Sequence, residues 1–155
     1  MPHIHDLIDF TVEVFIVNKN KVLLRKHDKY KIWLSIGGHI ELNEDPNQAA
    51  IREVKEEMGL DIKLYDGLRP FEKDLENEKE LIPPFFMNRH RINENHEHVT
   101  FVFFASVEND QIKQGETEVS DDYGWFTESE LDELNELKEG VKFYAKKALS
   151  VLSKF

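Results

Sequence analysis

The sequence Gly38–Leu60, GHIELNEDPNQAAIREVKEEMGL, contains a full set of helix signals next to an acidic cluster. It predicts a helix over Pro46–Met58, with proline at the first helical position. Asp45 is suited to the N-cap, and Gln48 stands three residues later, as in a capping box. Gly59 is the expected C-terminal stop. The stretch therefore predicts one short helix with defined ends.

Three glutamates of this helix, Glu53, Glu56 and Glu57, stand at positions i, i+3 and i+4. A helix places such positions on one face, where like charges cost roughly a few tenths of a kcal/mol per pair. A divalent cation would turn this repulsion into attraction. The apolar residues of the same helix predict a stripe that packs on a sheet while the carboxylates point elsewhere; they are Ala50, Ile51, Val54 and Met58.

Segments rich in β-branched and aromatic residues predict a sheet around this helix. Phe10–Val17 and Lys21–Lys26 are expected to form a hairpin, because Asn18 to Asn20 supply turn residues. Gly37-Gly38 predicts a turn, or a place where another group approaches the main chain closely. Further strands are expected at Leu60–Leu68, Phe85–Ile92, Val99–Val107 and Tyr123–Phe126.

The C-terminal part of the sequence predicts a final helical region. Thr127 and Glu130 have the spacing of a second capping box, which marks a helix start. The region is expected to continue to the C-terminus with a break at Gly140. Residues 1–155 are therefore predicted to form a single α/β domain.

The composition is that of a soluble globular chain, with 155 residues, 33% charged and 40% hydrophobic. A net charge of −11 argues against nucleic acid or an anionic membrane as partner, although metal ions can still bring a phosphate substrate to an acidic site. No apolar run is long enough to span a bilayer, and the first residues lack a secretory pattern. With no cysteine in the chain, the cytoplasm is the expected location.

The acidic motif resembles the Nudix box at every fixed position. Gly38 is followed after five residues by Glu44, then after seven by Arg52-Glu53-Val54, and then by Glu56-Glu57 and Gly59-Leu60. The resemblance implies the Nudix fold, an α/β/α sandwich around a mixed β-sheet. One departure lies just before the glycines, where Ser35-Ile36 replaces a common proline.

The resemblance also implies hydrolysis of a diphosphate bond in a nucleoside diphosphate linked to another group, with Mg²⁺ or Mn²⁺. Carboxylates are suited to Mg²⁺, which binds a few protein oxygens together with substrate phosphates. The expected metal ligands are Glu53, Glu56 and Glu57, joined by a main-chain carbonyl of Gly37 or Gly38. Arg52 is expected to hold the carboxylates in place, and Glu44 to tie the loop or to contact a second ion through water.

The sequence does not single out one general base, because a box glutamate or a carboxylate of a later loop can take this role. Outside the box we favour Glu97, which directly precedes a strong strand, over Glu94, Glu116 and Glu118. His39 follows the glycines and is expected, with Gly38, to meet a substrate phosphate.

Three alternatives follow from the same sequence. The chain could be a Nudix-fold module that binds or senses a nucleotide without cleaving it, although such modules often lose box carboxylates. Isomerisation of an isoprenoid diphosphate on this fold normally needs a cysteine, which is absent. His96, Glu97 and His98 invite a zinc interpretation, but hydrogen bonding is favoured, since histidines at i, i+2 are a weak metal signal. Many relatives are dimers, so a homodimer is one expected assembly.

Overall fold

The computed structural model describes residues 3–27, 30–115 and 122–153. Within these ranges the helices are α1 (Pro46–Met58), α2 (Glu128–Glu133) and α3 (Glu139–Leu152). The strands of the same ranges are β1 (Ile8–Asn18), β2 (Lys21–Lys26), β3 (Trp33–Leu34), β4 (Ile36–His39), β5 (Ile62–Leu64), β6 (Asp74–Leu75), β7 (Glu78–Lys79), β8 (Phe86–Asn93), β9 (His96–Val107) and β10 (Asp122–Phe126).

The strands form one mixed sheet in the order β10-β2-β1-β9-β5, with β3 beside β2, β4 beside β1 and β8 beside β9. Only β1 and β9 pair in parallel among the described strands, from Ile8 opposite Glu97 to Val17 opposite Ser106. Along its other edge, β1 pairs with β4 near its start and with β2 near its end. β6 and β7 form a small separate hairpin.

The two faces of the sheet are covered by different helices, which makes the predicted α/β/α sandwich. Side chains of β1 alternate between two cores, as the period of a strand requires. Val12, Val14 and Ile16 pack with α1, whereas Phe15 and Val17 pack with α3. Both cores are made of buried aliphatic and aromatic side chains, and the core on the α1 side holds that helix against β4 and β1.

Helix α1 has the predicted ends. The Asp45 carboxylate accepts from the Gln48 N–H at 2.9 Å, and the Gln48 side chain accepts from the Asp45 N–H at 2.9 Å. Gly59 closes the helix in the left-handed conformation, with φ 67°. The predicted apolar stripe is wrong at Ile51, which is 47% exposed, while Ala49 takes a buried position.

Other differences concern short elements. The strand predicted over Leu60–Leu68 is reduced to Ile62–Leu64, and the helical break falls between α2 and α3, so that Gly140 lies in the first turn of α3. Gly37 and Gly38 lie in strand β4 rather than in a turn. In the described part of the chain, no helix is both long and apolar enough to span a membrane.

Candidate active site

Glu53 and Glu57 project from α1 onto the glycine strand β4. Both are buried, with 0% and 4% of their surface exposed. The Gly37 N–H donates to Glu57 Oε2 at 3.2 Å. A Cβ at Gly38 would overlap the Glu53 carboxylate, so only glycine lets that carboxylate lie against the strand. The two glycines therefore let the carboxylates of Glu53 and Glu57 lie close to the main chain of β4.

Arg52 connects the carboxylates of the helix with the loop that precedes it. Its Nη1 donates to Glu53 Oε1 at 3.0 Å and to Glu56 Oε2 at 3.1 Å. Its Nε and Nη2 donate to the Glu44 carboxylate, the shortest bond being 2.6 Å. Nη2 also donates to the main-chain carbonyl of His39 at 2.9 Å. The hydrogen bonds from Arg52 lower the pKa of the Glu44 carboxyl group, so this loop carboxylate stays ionised.

Glu56 differs from the other two box glutamates in its surroundings. Its side chain is 56% exposed, and Arg52 Nη1 donates to both Glu56 and Glu53. Of the three glutamates predicted to share one face, Glu53 and Glu57 are buried, whereas Glu56 lies at the edge of the site next to solvent.

Arg25 is a member of the site that the sequence analysis missed. Its Nη2 lies 4.0 Å from Glu57 Oε1, and its side chain is 20% exposed. Its Nε is buried and has no hydrogen-bond partner among the described residues. The available signal was a lone arginine directly after the apolar residues of β2.

A cleft of about 230 Å³ lies on the other side of the glycine strand from the buried glutamates. Arg25, Gly37 and Gly38 are shared between the cleft and the carboxylate cluster; the remaining lining residues include Glu13, His39, His90, His98 and Thr100. Burial and neighbouring imidazoles lower the pKa of His98 to about 4, so the floor of the cleft carries a neutral ring near pH 7. A larger cavity of about 580 Å³, between β5 and the end of α3, contains none of the predicted site residues.

Two predicted residues lie apart from the carboxylate cluster. Glu97, in β9, accepts two hydrogen bonds from Arg89 of the neighbouring strand β8, at 3.0 and 2.8 Å. The His39 side chain turns to Asp9, with Nε2 3.1 Å from Oδ2, although its ring also borders the cleft. Of the other candidate bases, Glu94 is exposed in the turn between β8 and β9, and Glu116 and Glu118 lie outside the described residues.

The arrangement is chemically suited to a divalent cation. Two guanidinium groups, those of Arg25 and Arg52, lie within 4.0 Å of five carboxylates, so formal charges leave the cluster three units negative; the carboxylates are those of Glu41, Glu44, Glu53, Glu56 and Glu57. The space that a Cβ would fill at Gly38 is where the Glu53 carboxylate meets the main chain. Hard carboxylate and carbonyl oxygens are the ligands that Mg²⁺ and Mn²⁺ take in proteins.

Comparison with known proteins decides the family. The family model of the NUDIX domain matches residues 9–147, which include the whole sheet core, α1 and most of α3. The chain belongs to the Nudix family. The predicted hydrolase class and fold are thereby confirmed at the level of the family.

Solved structures agree with this placement. The Nudix chain is 39% identical to a NUDIX-family hydrolase from Clostridium perfringens, with a TM-score of 0.83 over 93% of this chain and 97% of the other. A MutT NUDIX hydrolase from Burkholderia pseudomallei shares the fold, with a TM-score of 0.65 and 21% identity over 91% and 98% of the two chains.

A curated relative matches over a shorter region. The chain is 39% identical over 62 residues to the NAD-capped RNA hydrolase NudC of Vibrio atlanticus (strain LGP32). The match covers 37% of this chain and 23% of the length of that protein.

Proposed function

We propose that this Nudix chain is a Mg²⁺-dependent pyrophosphohydrolase that cleaves a nucleoside diphosphate linked to another group. The observation that carries the proposal is the pair of buried carboxylates, Glu53 and Glu57, held against the main chain of Gly37 and Gly38. Buried carboxylates are costly unless a positive charge compensates them. The guanidinium groups of Arg25 and Arg52 compensate only two of the five carboxylates within 4.0 Å of them, and a divalent ion would neutralise two of the three remaining charges.

In this proposal the metal ligands are Glu53, Glu56 and Glu57, with the main-chain carbonyl of Gly37. When bound, the ion supplies charge neutralisation of the diphosphate and a water of lowered pKa. Mn²⁺ has the same ligand preference and is expected to replace Mg²⁺.

The roles of the chain's own groups follow from their contacts. Arg52 holds Glu53, Glu56 and the loop carboxylate Glu44 through a planar set of donors, which fixes three carboxylates relative to one another. Arg25 presents a guanidinium between Glu57 and the cleft, where it would bind a substrate phosphate. His39 and Gly38 border the same cleft and remain proposed substrate contacts.

The general base is best sought within the box. Glu97 is committed to Arg89, and that guanidinium lowers the pKa of the Glu97 carboxyl group. A carboxylate whose pKa is lowered in this way is a poor proton acceptor near neutral pH. We therefore propose that a box glutamate, and not Glu97, is the general base.

The proposed substrate is defined by its class, a nucleoside diphosphate derivative, and not by the group linked to the diphosphate. The relative NudC is named for hydrolysis of NAD-capped RNA, and its matched segment supports a nucleoside diphosphate bond as target. Net charge of −11 makes the RNA part of such a substrate a poor fit for this chain. A small nucleoside diphosphate derivative is the proposed substrate, and a cytoplasmic location is part of the same proposal.

A substrate panel tests the proposal. The protein is incubated with nucleoside diphosphate sugars, dinucleotides and dinucleoside polyphosphates, with Mg²⁺ or with excess chelator, and the products are identified by mass spectrometry. We expect cleavage of a phosphoanhydride bond that requires Mg²⁺, with ¹⁸O from labelled water entering a product phosphate. Binding of these compounds without any product would instead support the nucleotide-binding module.

A further inference from the structure

A cluster of imidazoles surrounds Asp9, a residue that the proposed hydrolysis does not use. Asp9 is 1% exposed, and its two oxygens accept the main-chain N–H groups of His5 at 2.7 Å and Ile4 at 3.0 Å. Three imidazole nitrogens also lie within 3.4 Å of its Oδ2: His3 Nδ1, His39 Nε2 and His96 Nε2. One carboxylate oxygen thus faces more nitrogen atoms than it can serve as an ordinary hydrogen-bond acceptor.

The second ring nitrogen of His96 shows which of its nitrogens carries the proton. His96 Nδ1 lies 3.2 Å from the main-chain carbonyl of Asp6, which can only accept, so Nδ1 bears the hydrogen. In the neutral ring, Nε2 then has a lone pair, yet it faces Asp9 Oδ2 at 3.4 Å without forming a hydrogen bond. Two acceptors in buried contact repel unless a proton or a metal ion lies between them.

His98 adds a further nitrogen to the same place. Its Nε2 is buried and has no hydrogen-bond partner among the described residues. The His98 ring lies 5.1 Å from that of His96 between centroids. One ligand atom from each of His3, Asp9, His96 and His98 can be chosen so that all four lie within 4.8 Å of one another.

We propose that His3, Asp9, His96 and His98 form a second metal site, separate from the box glutamates, that binds a Zn²⁺-type ion. Three imidazoles and one carboxylate are a ligand set that suits tetrahedral Zn²⁺ and disfavours Mg²⁺, which takes oxygen ligands. The bond from His96 Nδ1 to a main-chain carbonyl is the outer contact that orients a metal-binding histidine.

The site joins parts of the chain that are distant in sequence. His3 lies in the segment before β1, Asp9 is in β1, and His96 and His98 are in β9. An ion held there would fasten the N-terminal segment to the sheet. His98 also lines the substrate cleft, so the ion would close one end of that cleft.

Calorimetry with Zn²⁺ on chelator-treated protein tests the site. The titration is made in the Glu57→Gln background, so that the box contributes as little as possible and the result does not depend on the proposed hydrolysis. We expect one site of submicromolar affinity, unaffected by excess Mg²⁺. Replacing Zn²⁺ with Co²⁺ is expected to give the strong visible absorption of a tetrahedral complex.

Matched variants assign the ligands. His98→Gln is expected to weaken Zn²⁺ binding by about 100-fold or more, while His5→Gln, in the same N-terminal segment but with its ring outside the cluster, leaves the affinity unchanged. Asp9→Asn provides a second ligand variant, and circular dichroism of both ligand variants verifies folding. The proposal would be overturned if the Glu57→Gln protein with all four ligands intact bound no stoichiometric Zn²⁺. Equal affinity of the His98→Gln and His5→Gln variants for Zn²⁺ would overturn it as well.

Discussion

Glu53 and Glu57 occupy positions where a folded protein normally places apolar side chains. Both are almost fully buried, and the guanidinium groups of Arg52 and Arg25 lie near them. Their position depends on two glycines whose missing side chains leave room, one for a carboxylate and one for the main chain of β1. The two glycines are therefore expected to respond differently to the same substitution.

Gly38→Ala is expected to lower activity more than stability. The new Cβ would overlap the end of the flexible Glu53 side chain, which can move aside and would then leave its site. We expect the free energy of unfolding to change by less than about 1 kcal/mol, with a large fall in kcat. Denaturant unfolding and steady-state turnover measure the two quantities.

Gly37→Ala is the matched comparison. Its Cβ would overlap the main-chain carbonyl of Val12, which cannot move without disturbing β1. A loss of about 2 kcal/mol in the free energy of unfolding is expected. Gly140→Ala, whose Cβ would meet nothing within 4 Å, serves as a neutral or mildly stabilising control. Equal effects of the Gly37 and Gly38 substitutions on both stability and turnover would contradict this explanation.

Glu13 makes stability depend on pH. Burial raises the pKa of its carboxyl group, and the hydrogen bond from Ser35 Oγ, at 2.7 Å, offsets this only in part. Because the folded state binds the proton more tightly than the unfolded state, the stabilising contribution is present at low pH. It is lost as the pH rises through the raised pKa.

Glu13→Gln removes this titration and keeps an oxygen that can accept from Ser35. As the pH rises from about 4.5 to 7, the Tm of the variant is expected to increase relative to that of the parent, by a few degrees in total. Differential scanning calorimetry at several pH values measures it. A difference that does not vary with pH would show that Glu13 has no raised pKa in the folded protein.

At the scale of elements, helix α1 shows what local sequence can and cannot predict. Its bounds were correct because the capping box at Asp45 and the left-handed Gly59 are local signals. The prediction of its buried face was wrong at Ile51, because an apolar side chain was assumed to be buried. Which side of a helix is covered depends on the strand beneath it. Here the carboxylates of Glu53 and Glu57 pack against β4, where the Gly37 N–H donates to Glu57.

Paired substitutions in α1 test this assignment of its faces. Ile51→Gln is expected to change the free energy of unfolding by less than about 0.5 kcal/mol, because the side chain is 47% exposed. Val54→Ala, at a fully buried position one turn later, is expected to cost about 2 kcal/mol. Urea unfolding of both variants measures the difference, and a larger loss for Ile51→Gln than for Val54→Ala would reverse the assigned faces.

Short elements were predicted less well for a similar reason. The strand expected over Leu60–Leu68 spans only Ile62–Leu64, and its pairing with β9 ends one residue later, where the Tyr65 N–H donates to the Phe104 carbonyl at 2.8 Å. The break expected at Gly140 occurs before α3, where Leu134 takes an extended conformation. Glycine in a first helical turn meets no obstacle, so its presence alone did not mark the break.

At the scale of the whole molecule, the site is assembled by pairings that a local pattern does not contain. The parallel pairing of β1 with β9 brings Asp9 opposite His98, although 89 positions separate the members of such pairs. Arg25 reaches Glu57 because β2 and β4 both neighbour β1. The box motif predicted the carboxylates and Arg52, whereas the cleft, Arg25 and the imidazole cluster required the three-dimensional fold.

Turnover of the best substrate by Glu57→Gln, measured in Mg²⁺ beside the parent, tests the central claim most directly. Glu76→Gln, an exposed position between β6 and β7, is the matched control for loss of one negative charge. Glu57→Gln is expected to lower kcat by at least about 100-fold, whereas Glu76→Gln is expected to retain the parent rate. Equal turnover by the parent and a folded Glu57→Gln would contradict the assignment of this carboxylate cluster as the hydrolytic centre.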